Sequence, residues 1–418
     1  MIRAQSTDIL VIGAGPAGIA AACAASENNR RVTLIDDNPT PGGQIWRGQS
    51  APRSAAGKWL ARLHATSCQR LYQTTVIAAP QPGVLLAEDA AGPLELRYDR
   101  LILATGARER FLPFPGWTSP CIFGAGGLQA MVKSGMPIAG KSVVIAGSGP
   151  LLLAVAATLR KQGAHILFVA EQAPRVRVAS FARRLLLDWP RLSQAISLKA
   201  RLLGVPYRTD CWPTQVIDDG ASLRVTLNTP AGPRQIECDY LACGFFLVPN
   251  NELPALLQCP LNPQGVTVDE FQQTTSNLYV AGEATGIGGL DKSLVEGQIA
   301  GHAAAGNHDS AARLFPARAK SHRFAAALRA AFELRDELRH LPQPDTLVCR
   351  CEDIPHAKLA SHPSMRDAKL QTRCGMGPCQ GRICGPACEF LFNWRDTSVR
   401  PPIFPTPLAH LGSAAEGA

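Results

Sequence analysis

The sequence predicts an α/β protein with two parallel-sheet domains and a small, cysteine-rich helical module. A strand, glycine turn, helix and strand follow one another near the N-terminus, and the same order recurs from residue 141. Each such βαβ unit needs a sheet in which to bury its strands, so two units indicate a duplicated architecture. Six of the 13 cysteines then lie between Cys349 and Cys388. This clustering predicts a separate C-terminal module.

Length and composition fit a multidomain globular protein. With 418 residues the chain is too long for one compact core, and its 46% hydrophobic and 18% charged residues are ordinary globular usage. The formal net charge is +9, but arginine and lysine are scattered and are not interleaved with aromatic residues. We therefore expect solvated faces or a protein docking surface and no nucleic-acid partner.

No targeting or membrane segment is expected. The N-terminus enters a strand pattern without the apolar region of a signal peptide. The longest apolar stretch, residues 143–159, is interrupted by Gly147, Gly149 and Pro150, which is typical of a strand–turn–helix and not of a membrane span. We expect a soluble, cytoplasmic protein with no membrane span.

The first βαβ unit carries a complete G-x-G-x-x-G motif. Its predicted strands are 8–12 and 31–36, and its helix is 15–27. The motif residues are Gly13, Ala14, Gly15, Pro16, Ala17 and Gly18. The first glycine permits the turn, the second lets the backbone approach a pyrophosphate, and the third lets the helix pack on the strand. The phosphates would lie on the amides at the helix N-terminus. Asp36, followed by Asp37, ends the second strand within reach of the adenosine ribose.

Two later strands indicate FAD as the ligand of this first domain. One ends in Ala104-Thr105-Gly106, where small residues let the chain leave the sheet beside the cofactor. The other ends in Gly282-Glu283, and Glu283 would hold a ribityl hydroxyl. The helix that follows, from about residue 290, would point its positive end at the pyrimidine edge of the flavin.

With the first motif, these strands resemble the pyridine nucleotide-disulfide reductase superfamily over residues 6–310. That resemblance implies two Rossmann-like dinucleotide-binding domains and makes Gly42-Gly43-Gln44 a flavin-contacting loop. The reductases of the superfamily use a redox-active cysteine pair beside the flavin, and the corresponding places here have none. We therefore expect no thiol relay.

The second glycine motif is incomplete. Gly147-Ser148-Gly149 begins like the first motif, but Leu152 stands where the third glycine belongs. A leucine there would push the helix away from the strand and narrow the phosphate site. Glu171 ends the next strand, where an acidic residue favours NAD over NADP. The sequence leaves open whether this domain binds NAD or another adenine nucleotide, or is a relic kept for structure.

The cysteine module predicts a metal centre. Clustered cysteines in a cytosolic chain favour metal binding over disulfides. The spacing is C-x-C at Cys349 and Cys351, followed by Cys374, Cys379, Cys384 and Cys388 in a glycine-rich stretch. Thiolates suit zinc or iron–sulfur. C-x-C is awkward for one tetrahedral zinc ion, whereas a [2Fe–2S] cluster spreads four ligands over two irons.

The segments 348–352 and 375–382 resemble the bacterioferritin-associated-ferredoxin-like (BFD-like) [2Fe–2S] domain. That domain occurs fused to a flavin domain in the alpha (A) subunits of opine oxidases, hydroxyproline and proline dehydrogenases, and hydrogen cyanide synthase. The order of domains agrees over nearly the whole chain. The resemblance assigns the cluster ligands to Cys349, Cys351, Cys379 and Cys384 and leaves Cys374 and Cys388 as spare or alternate ligands.

The predicted domains follow from these assignments. The FAD-binding domain comprises 1–125 and 245–312, the NAD-like domain 126–244, and a helical linker 313–344. The BFD-like domain comprises 345–396, and an extended tail 397–418. Within the linker, residues 315–341 are expected to form one charged helix.

The resemblance implies an FAD- and [2Fe–2S]-containing electron-transfer subunit of a heteromeric dehydrogenase or oxidase of an amine, imino acid or amino acid. The substrate would be oxidised on a flavoprotein beta subunit of the D-amino-acid-oxidase type, and a further partner would be a small ferredoxin-like gamma subunit. No catalytic base is assigned on this chain, because a flavin can take a hydride without one. The alternatives are a self-sufficient NADH-dependent oxidoreductase and a scaffold protein with structural zinc.

Overall fold

The computed structural model describes residues 2–48, 51–395 and 399–415. They form two compact units, the first within Met1–Arg108, Val248–Ala326 and Thr397–Ala418, and the second within Glu109–Leu247 and Ala327–Asp396. Residue 396, which ends the predicted BFD-like domain, and residues 397–398 and 416–418 of the predicted tail lie outside the described residues. The finer division into domains stays a prediction.

The first unit is built on an eight-stranded sheet. Along its main path the strand order is Gln273–Thr275, Leu278–Val280, Gly92–Leu103, Arg3–Ile12, Val32–Ile35 and Gln69–Leu71. Strands Thr75–Gln81 and Val84–Asp89 pair with each other, and the latter also pairs with Gly92–Leu103. The four strands from Leu278–Val280 to Val32–Ile35 are parallel, so their carboxyl ends meet at one edge of the sheet. Ligands of open parallel sheets bind at this edge.

Two helices of the first unit pack backbone against backbone. Helix Pro16–Ser26 is rich in alanine and buried from Ala17 onward. Its partner, Leu290–Ala304, turns Gly297 and Gly301 toward it, and a Cβ at either position would lie 2.1 Å or 2.3 Å from a carbonyl oxygen of the first helix. Only glycine permits this approach. The remaining helices are Gly43–Trp46, Ala55–His64, Glu252–Leu256, Gly282–Thr285 (3₁₀), His308–Ala312, Phe315–Phe332 (which ends in the second unit) and Leu408–Ala415, and a short hairpin joins Leu261–Asn262 to Gly265–Val266.

The second unit repeats the βαβ pattern. Its parallel sheet has the order Tyr207–Arg208, His165–Glu171, Ser142–Ser148, Tyr240–Phe245 and Ile122–Gly124. A separate antiparallel sheet contains Trp212–Asp218, Leu223–Asn228 and Arg234–Cys238. Its helices are Ala125–Lys133, Leu151–Lys161, Arg175–Leu185, Trp189–Arg201 and Asp336–His340 (3₁₀). The short strands Ala107–Glu109 and Leu247–Pro249 lie where the chain passes from one unit to the other.

The cysteine-rich module belongs to the second unit. Strands Leu347–Cys349 and Ile354–Pro355 are followed by helices His356–Leu359, Met365–Thr372 and Cys384–Phe392. Four of its cysteines are part of a small hydrophobic core with Val348, Leu359, Met365 and Trp394. The module therefore has a core of its own.

The predicted fold class is confirmed, and two local expectations need correction. The single charged helix expected over 315–341 ends at Phe332 and is replaced by a 3₁₀ turn from Asp336, because residues 333–335 leave the helix and Glu333 and Arg335 bond to Gln172. The tail is not extended throughout, since Leu408–Ala415 form a helix. Among the described residues, no helix combines the length and apolar character that a membrane crossing requires.

Candidate functional site

The first glycine loop lies at the carboxyl edge of the large sheet. Gly13 has φ +102°, and a Cβ there would lie 2.4 Å from the carbonyl oxygen of Ala104, so the turn requires glycine. Gly15 differs, because a Cβ on it would meet nothing closer than the Gly43 Cα at 4.0 Å. The space above Gly15 is therefore open. A ligand phosphate can approach the backbone there, as the motif predicts.

The predicted flavin-contacting loop lies against this opening. The Gly42 amide donates a hydrogen bond to the Ala14 carbonyl at 2.7 Å. Gly43, at φ +56°, would place a Cβ 3.0 Å from the Gly15 Cα. Gln44 follows in the short helix Gly43–Trp46. The structure thus brings the residues 13–18 and 42–44 together.

Asp36 fixes the loop from inside. Its Oδ2 accepts the Ala14 amide at 2.5 Å, and its Oδ1 accepts the Asn38 amide at 2.8 Å. Asp36 is buried, whereas Asp37 beside it is exposed. The sequence assigned the pair to the ribose. In the structure the Asp36 carboxylate bonds to the glycine loop, and the Asp37 side chain is exposed to solvent.

The segment Ala104-Thr105-Gly106 is held by a residue that the sequence did not indicate. Asn250 donates its side-chain amide to the Thr105 carbonyl at 2.8 Å, and its own carbonyl accepts the Thr105 hydroxyl at 2.9 Å. The Asn250 backbone amide also donates to the Gly106 carbonyl at 3.0 Å. Ala104 itself continues the sheet edge by donating to Ile12 at 2.8 Å. No motif spacing marks Asn250, because it lies 145 residues from Thr105.

Glu283 closes the loop that leads into the helix Leu290–Ala304. Its carboxylate accepts the Gly289 amide at 2.7 Å and, more weakly, the Gly288 amide at 3.3 Å. Burial raises the pKa of Glu283, while the nearby Lys292 ammonium and these amides act to lower it. The predicted ribityl-binding carboxylate thus lies at the sheet edge and also orders the helix N-terminus.

A buried charge network supports the Gly282-Glu283 turn. Glu296, which is fully buried, accepts the Gly282 amide at 2.9 Å, the Lys292 ammonium at 2.8 Å and His322 Nε2 at 2.7 Å. Lys292 is also buried and donates to the Gly282 carbonyl at 2.8 Å. Burial acts to raise the pKa of Glu296, but Lys292, His322 and Thr285 together hold it below its ordinary value. In the sequence, this network is indicated by the i, i+4 spacing of Lys292 and Glu296 within a helix of small residues.

The second glycine loop bonds to its own chain. Glu171, completely buried, accepts the Gly149 amide at 2.8 Å and the Ala173 amide at 2.9 Å. Burial raises the pKa of Glu171 to about 7, against the lowering effect of these hydrogen bonds. Gly147 has φ +140° and packs on the Gly244 carbonyl. Leu152 is buried in the core beneath the loop.

Residues 332–335 cover this second loop. The Ser148 hydroxyl donates to the Phe332 carbonyl at 2.9 Å, and Gln172 Nε2 donates to the Glu333 carbonyl at 3.2 Å. The Arg335 amide donates to Gln172 Oε1 at 3.2 Å. Ser148 and Gln172 are both buried. Ser148 in the glycine loop and Gln172 after the next strand are therefore engaged within the chain.

The cysteines of the module form two groups. The Sγ atoms of Cys349, Cys374 and Cys384 lie within 4.8 Å of one another, and all three residues are buried. Cys374 also contacts the thiol of buried Cys388. The second group is a contact between Cys351, which is exposed, and Cys379, which is half-buried. The four predicted cluster ligands are thus divided, with Cys349 and Cys384 in the first group and Cys351 and Cys379 in the second.

Glycines and amides surround these sulfurs. A Cβ on Gly377 would lie 2.3 Å from the Cys351 Cβ, so the loop passes this cysteine at a distance that only glycine allows. Hydrogen bonds from the Cys374 and Cys384 thiols, with weaker ones from the Gly375 and Glu352 amides, lower the pKa of Cys349 to about 2. Thiolate character and nearby amides are what thiophilic metal centres require. The donor set fits a thiolate-bound metal or iron–sulfur cluster.

Three comparisons with known proteins agree with this architecture. A family model described as pyridine nucleotide-disulphide oxidoreductase matches residues 7–306. The A subunit of opine oxidase from Rhizobium meliloti (strain 1021) is 29% identical over 98% of this chain and 99% of its own length. Hydrogen cyanide synthase subunit HcnB of Pseudomonas protegens is 30% identical over 92% of each chain. Among solved structures, L-proline dehydrogenase from P. horikoshii shares the fold, with a TM-score of 0.72 at 18% identity over 98% of this chain and 80% of that one.

The geometry and the comparisons lead to one assignment. The open glycine loop at the sheet edge fits the FAD that the matched family implies. The similarity to the two named subunits extends beyond the range of the family model, and the opine oxidase subunit covers 98% of this chain, which includes the cysteine-rich module. The chain is an FAD-dependent oxidoreductase that belongs to the pyridine nucleotide-disulphide oxidoreductase family, within the group that includes hydrogen cyanide synthase subunit HcnB and the A subunit of opine oxidase.

Proposed function

We propose that this chain is the electron-transfer subunit of a heteromeric dehydrogenase or oxidase of an amine, imino acid or amino acid. FAD in the first unit and a [2Fe–2S] cluster in the cysteine module would carry the electrons, and a partner flavoprotein would oxidise the substrate. The observation that carries the proposal is the presence, on one chain, of an open dinucleotide loop and a module with six closely spaced cysteines. The names of the two relatives as subunits support a partner.

The residues of the first unit that would hold FAD all lie at or beside the carboxyl edge of the sheet. They are residues 13–18, Asp36, Asp37, residues 42–44, residues 104–106, Gly282 and Glu283. Bound FAD would supply a two-electron carrier that can release electrons one at a time. The chain itself would bind and orient it, with Glu283 and the Lys292–Glu296 pair fixing the turn beside it.

In the proposed reaction a C–H bond next to nitrogen is broken on the partner protein. The substrate loses a hydride and a proton and becomes an imine, and two electrons pass on to this chain. We propose a partner of the D-amino-acid-oxidase type and, as a further partner, a small ferredoxin-like protein.

An exposed apolar surface supports the existence of the partner. The helices Arg175–Leu185 and Trp189–Arg201 and the turns after them leave large apolar side chains 55–91% exposed. They are Val176, Leu186, Leu187, Trp189, Ile196 and Leu203. Exposed arginines and lysines alternate with them, which disfavours a second copy of the same surface and favours an acidic partner.

Self-sufficient reduction by NADH is the weaker alternative. It would require the second unit to present its glycine loop to NADH. Ser148, Gln172 and Glu171 are buried and bond instead to residues of their own chain. This closure supports the interpretation of the second domain as a structural relic.

The proposal is tested by anaerobic purification followed by an absorption spectrum, with flavin, iron, zinc and acid-labile sulfide assayed on the same sample. We expect flavin bands above a broad iron–sulfur absorption, with two irons and two sulfides per FAD. A flavin spectrum with zinc, or without metal, would leave the flavoprotein assignment standing and remove the relay. Flavin bleaching by NADH alone would favour the self-sufficient enzyme.

A further inference from the structure

The four buried cysteines of the module differ from the set that the resemblance assigns to the cluster. Cys349 ends a strand, Cys374 follows the helix Met365–Thr372, and Cys384 and Cys388 lie one turn apart on the helix Cys384–Phe392. We call these four residues the buried thiol group. Each is at most 1% exposed, whereas Cys351 is exposed.

Three members of the buried thiol group lie close enough together for a single tetrahedral metal site. Thiolates about 2.3 Å from one ion lie about 3.8 Å from each other. The Sγ atoms of Cys349, Cys374 and Cys384 lie within 4.8 Å of one another, so small movements bring all three onto one ion. Cys388 is not one of these three but lies beside them, because its thiol contacts Cys374 and its i, i+4 spacing places it on the same helix face as Cys384. A further movement of its side chain would supply the fourth corner.

The surroundings favour a soft ion bound by thiolates alone. Val348, Ile354, Leu359, Met365 and Trp394 form an apolar shell around the sulfurs. Burying four thiolates in such a shell is costly unless a cation neutralises them. Three thiolates on one ion also exceed the two that each iron of a [2Fe–2S] cluster takes from the protein. These three thiols together are therefore suited to one ion, whereas the proposed cluster would use only Cys349 and Cys384 of them, with Cys351 and Cys379.

We propose that the buried thiol group is a mononuclear site that binds one soft divalent cation, Zn²⁺ or Fe²⁺, in protein without a cluster. Four thiols and M²⁺ give an M(SR)₄²⁻ centre, and the thiol protons are released to solvent. Cys349 and Cys384 belong to both this site and the proposed cluster, so one chain holds either centre but not both. The inference can be tested independently of the cluster, because Cys374 and Cys388 belong to the mononuclear site and are not assigned to the cluster.

The test uses full-length protein from which metal has been removed under anaerobic, reducing conditions, with Co²⁺ as the probe. We expect one equivalent of Co²⁺ to bind and give the visible absorption of tetrahedral thiolate cobalt. Cys374→Ala and Cys388→Ala should weaken binding by roughly 10-fold or more. The matched variants Cys351→Ala and Cys379→Ala should bind Co²⁺ like the wild type. Far-UV circular dichroism and FAD content show that each variant is folded.

The reverse pattern would overturn the inference. If Cys351→Ala and Cys379→Ala lose Co²⁺ while Cys374→Ala and Cys388→Ala keep it, the probe occupies the cluster ligands. Iron and sulfide in native wild-type protein decide the relay separately. Native protein without either would remove the proposed relay and leave the Co²⁺ result unaffected. If Cys374→Ala loses Co²⁺ binding after metal removal but contains full iron and sulfide as purified, the result would support both the mononuclear site and the [2Fe–2S] relay.

Discussion

Two glycines of the first loop are needed for different reasons. Gly18 packs so closely on the preceding turn that a Cβ would lie 1.7 Å from the Gly13 carbonyl oxygen. Gly15 has an ordinary φ of −74° and free space where its Cβ would be. Gly18 is therefore required for folding and Gly15 for binding, as the motif predicts.

We predict that Gly15→Ala and Gly18→Ala fail in different ways. Gly15→Ala should keep its thermal stability and lose FAD affinity by about 10-fold or more, because the methyl group occupies the phosphate approach. Gly18→Ala should lose about 1–3 kcal/mol of unfolding free energy through overpacking. Thermal unfolding of apo-protein and FAD titration measure the two effects. Equal FAD affinity in Gly15→Ala and wild type would contradict the assigned phosphate position.

The acids that end the second strand of each unit bond to the glycine loops. Asp36 accepts the Ala14 amide, and Glu171 accepts the Gly149 amide. The sequence located both acids at the strand ends, and it assigned Asp36 to the adenosine ribose and Glu171 to a preference for NAD over NADP; both roles stay predictions. The hydrogen bonds to the loops could not be predicted, because spacing fixes the position of a carboxylate and not the direction in which it points.

Glu171 should make stability depend on pH. Its pKa is 4.5 ordinarily and about 7 in the folded protein, so the folded chain keeps a proton that the unfolded chain has lost. Its contribution to stability is therefore complete below about pH 4.5 and is lost as pH rises through 7, by on the order of 3 kcal/mol. The variant Glu171→Gln has no such titration. Unfolding by urea between pH 5 and 8 should show the wild type losing stability relative to the variant, and parallel curves would contradict this assignment.

At the scale of elements, the local pattern predicted both βαβ units, although the first strand, expected over 8–12, begins five residues earlier at Arg3. The strands Arg3–Ile12 and Ser142–Ser148 and the helices Pro16–Ser26 and Leu151–Lys161 occur where the apolar runs and glycine turns placed them. The break after Phe332 was missed, because it depends on Gln172, more than 150 residues away. Local periodicity carries no information about such a partner.

The Lys292–Glu296 pair should be the critical contact of the helix Leu290–Ala304. Lys292→Met leaves the Glu296 carboxylate buried without its main counter-charge, which costs about 3–5 kcal/mol. Adding Glu296→Gln removes that charge, so the double variant should be more stable than Lys292→Met alone. Chemical unfolding of the two single variants and the double variant gives the coupling energy. Strictly additive effects would show that the two side chains do not interact in solution.

At the scale of the whole molecule, the two βαβ units share a fold but differ in whether their glycine loops are open to a ligand. The sequence predicted the duplication and noted that Leu152 spoils the second motif. It could not predict that residues 332–335 cover this loop, since the bonds from Ser148 and Gln172 join segments distant in the chain. The same limit applies to the cysteines, where spacing indicated a metal centre but not which thiols are buried together.

The closure of the second loop predicts that this chain does not use a pyridine nucleotide. A dinucleotide would have to displace the hydrogen bonds of Ser148 and Gln172 to residues 332–335 and to approach Gly149, whose amide already donates to Glu171. Each buried polar group left unpaired costs about 1–3 kcal/mol, so several together exceed the binding free energy of a weak ligand.

Anaerobic mixing with NADH or NADPH should leave the flavin spectrum unchanged, whereas dithionite should bleach it. Calorimetric titration with NAD, NADH and ATP should show no binding to the second unit. The variant Ser148→Arg changes only the second glycine loop, so a binding signal that persists in this variant belongs to the first unit. Rapid bleaching by NADH that is abolished in Ser148→Arg would mean that residues 332–335 open in solution, and the second domain would then be an electron-entry site.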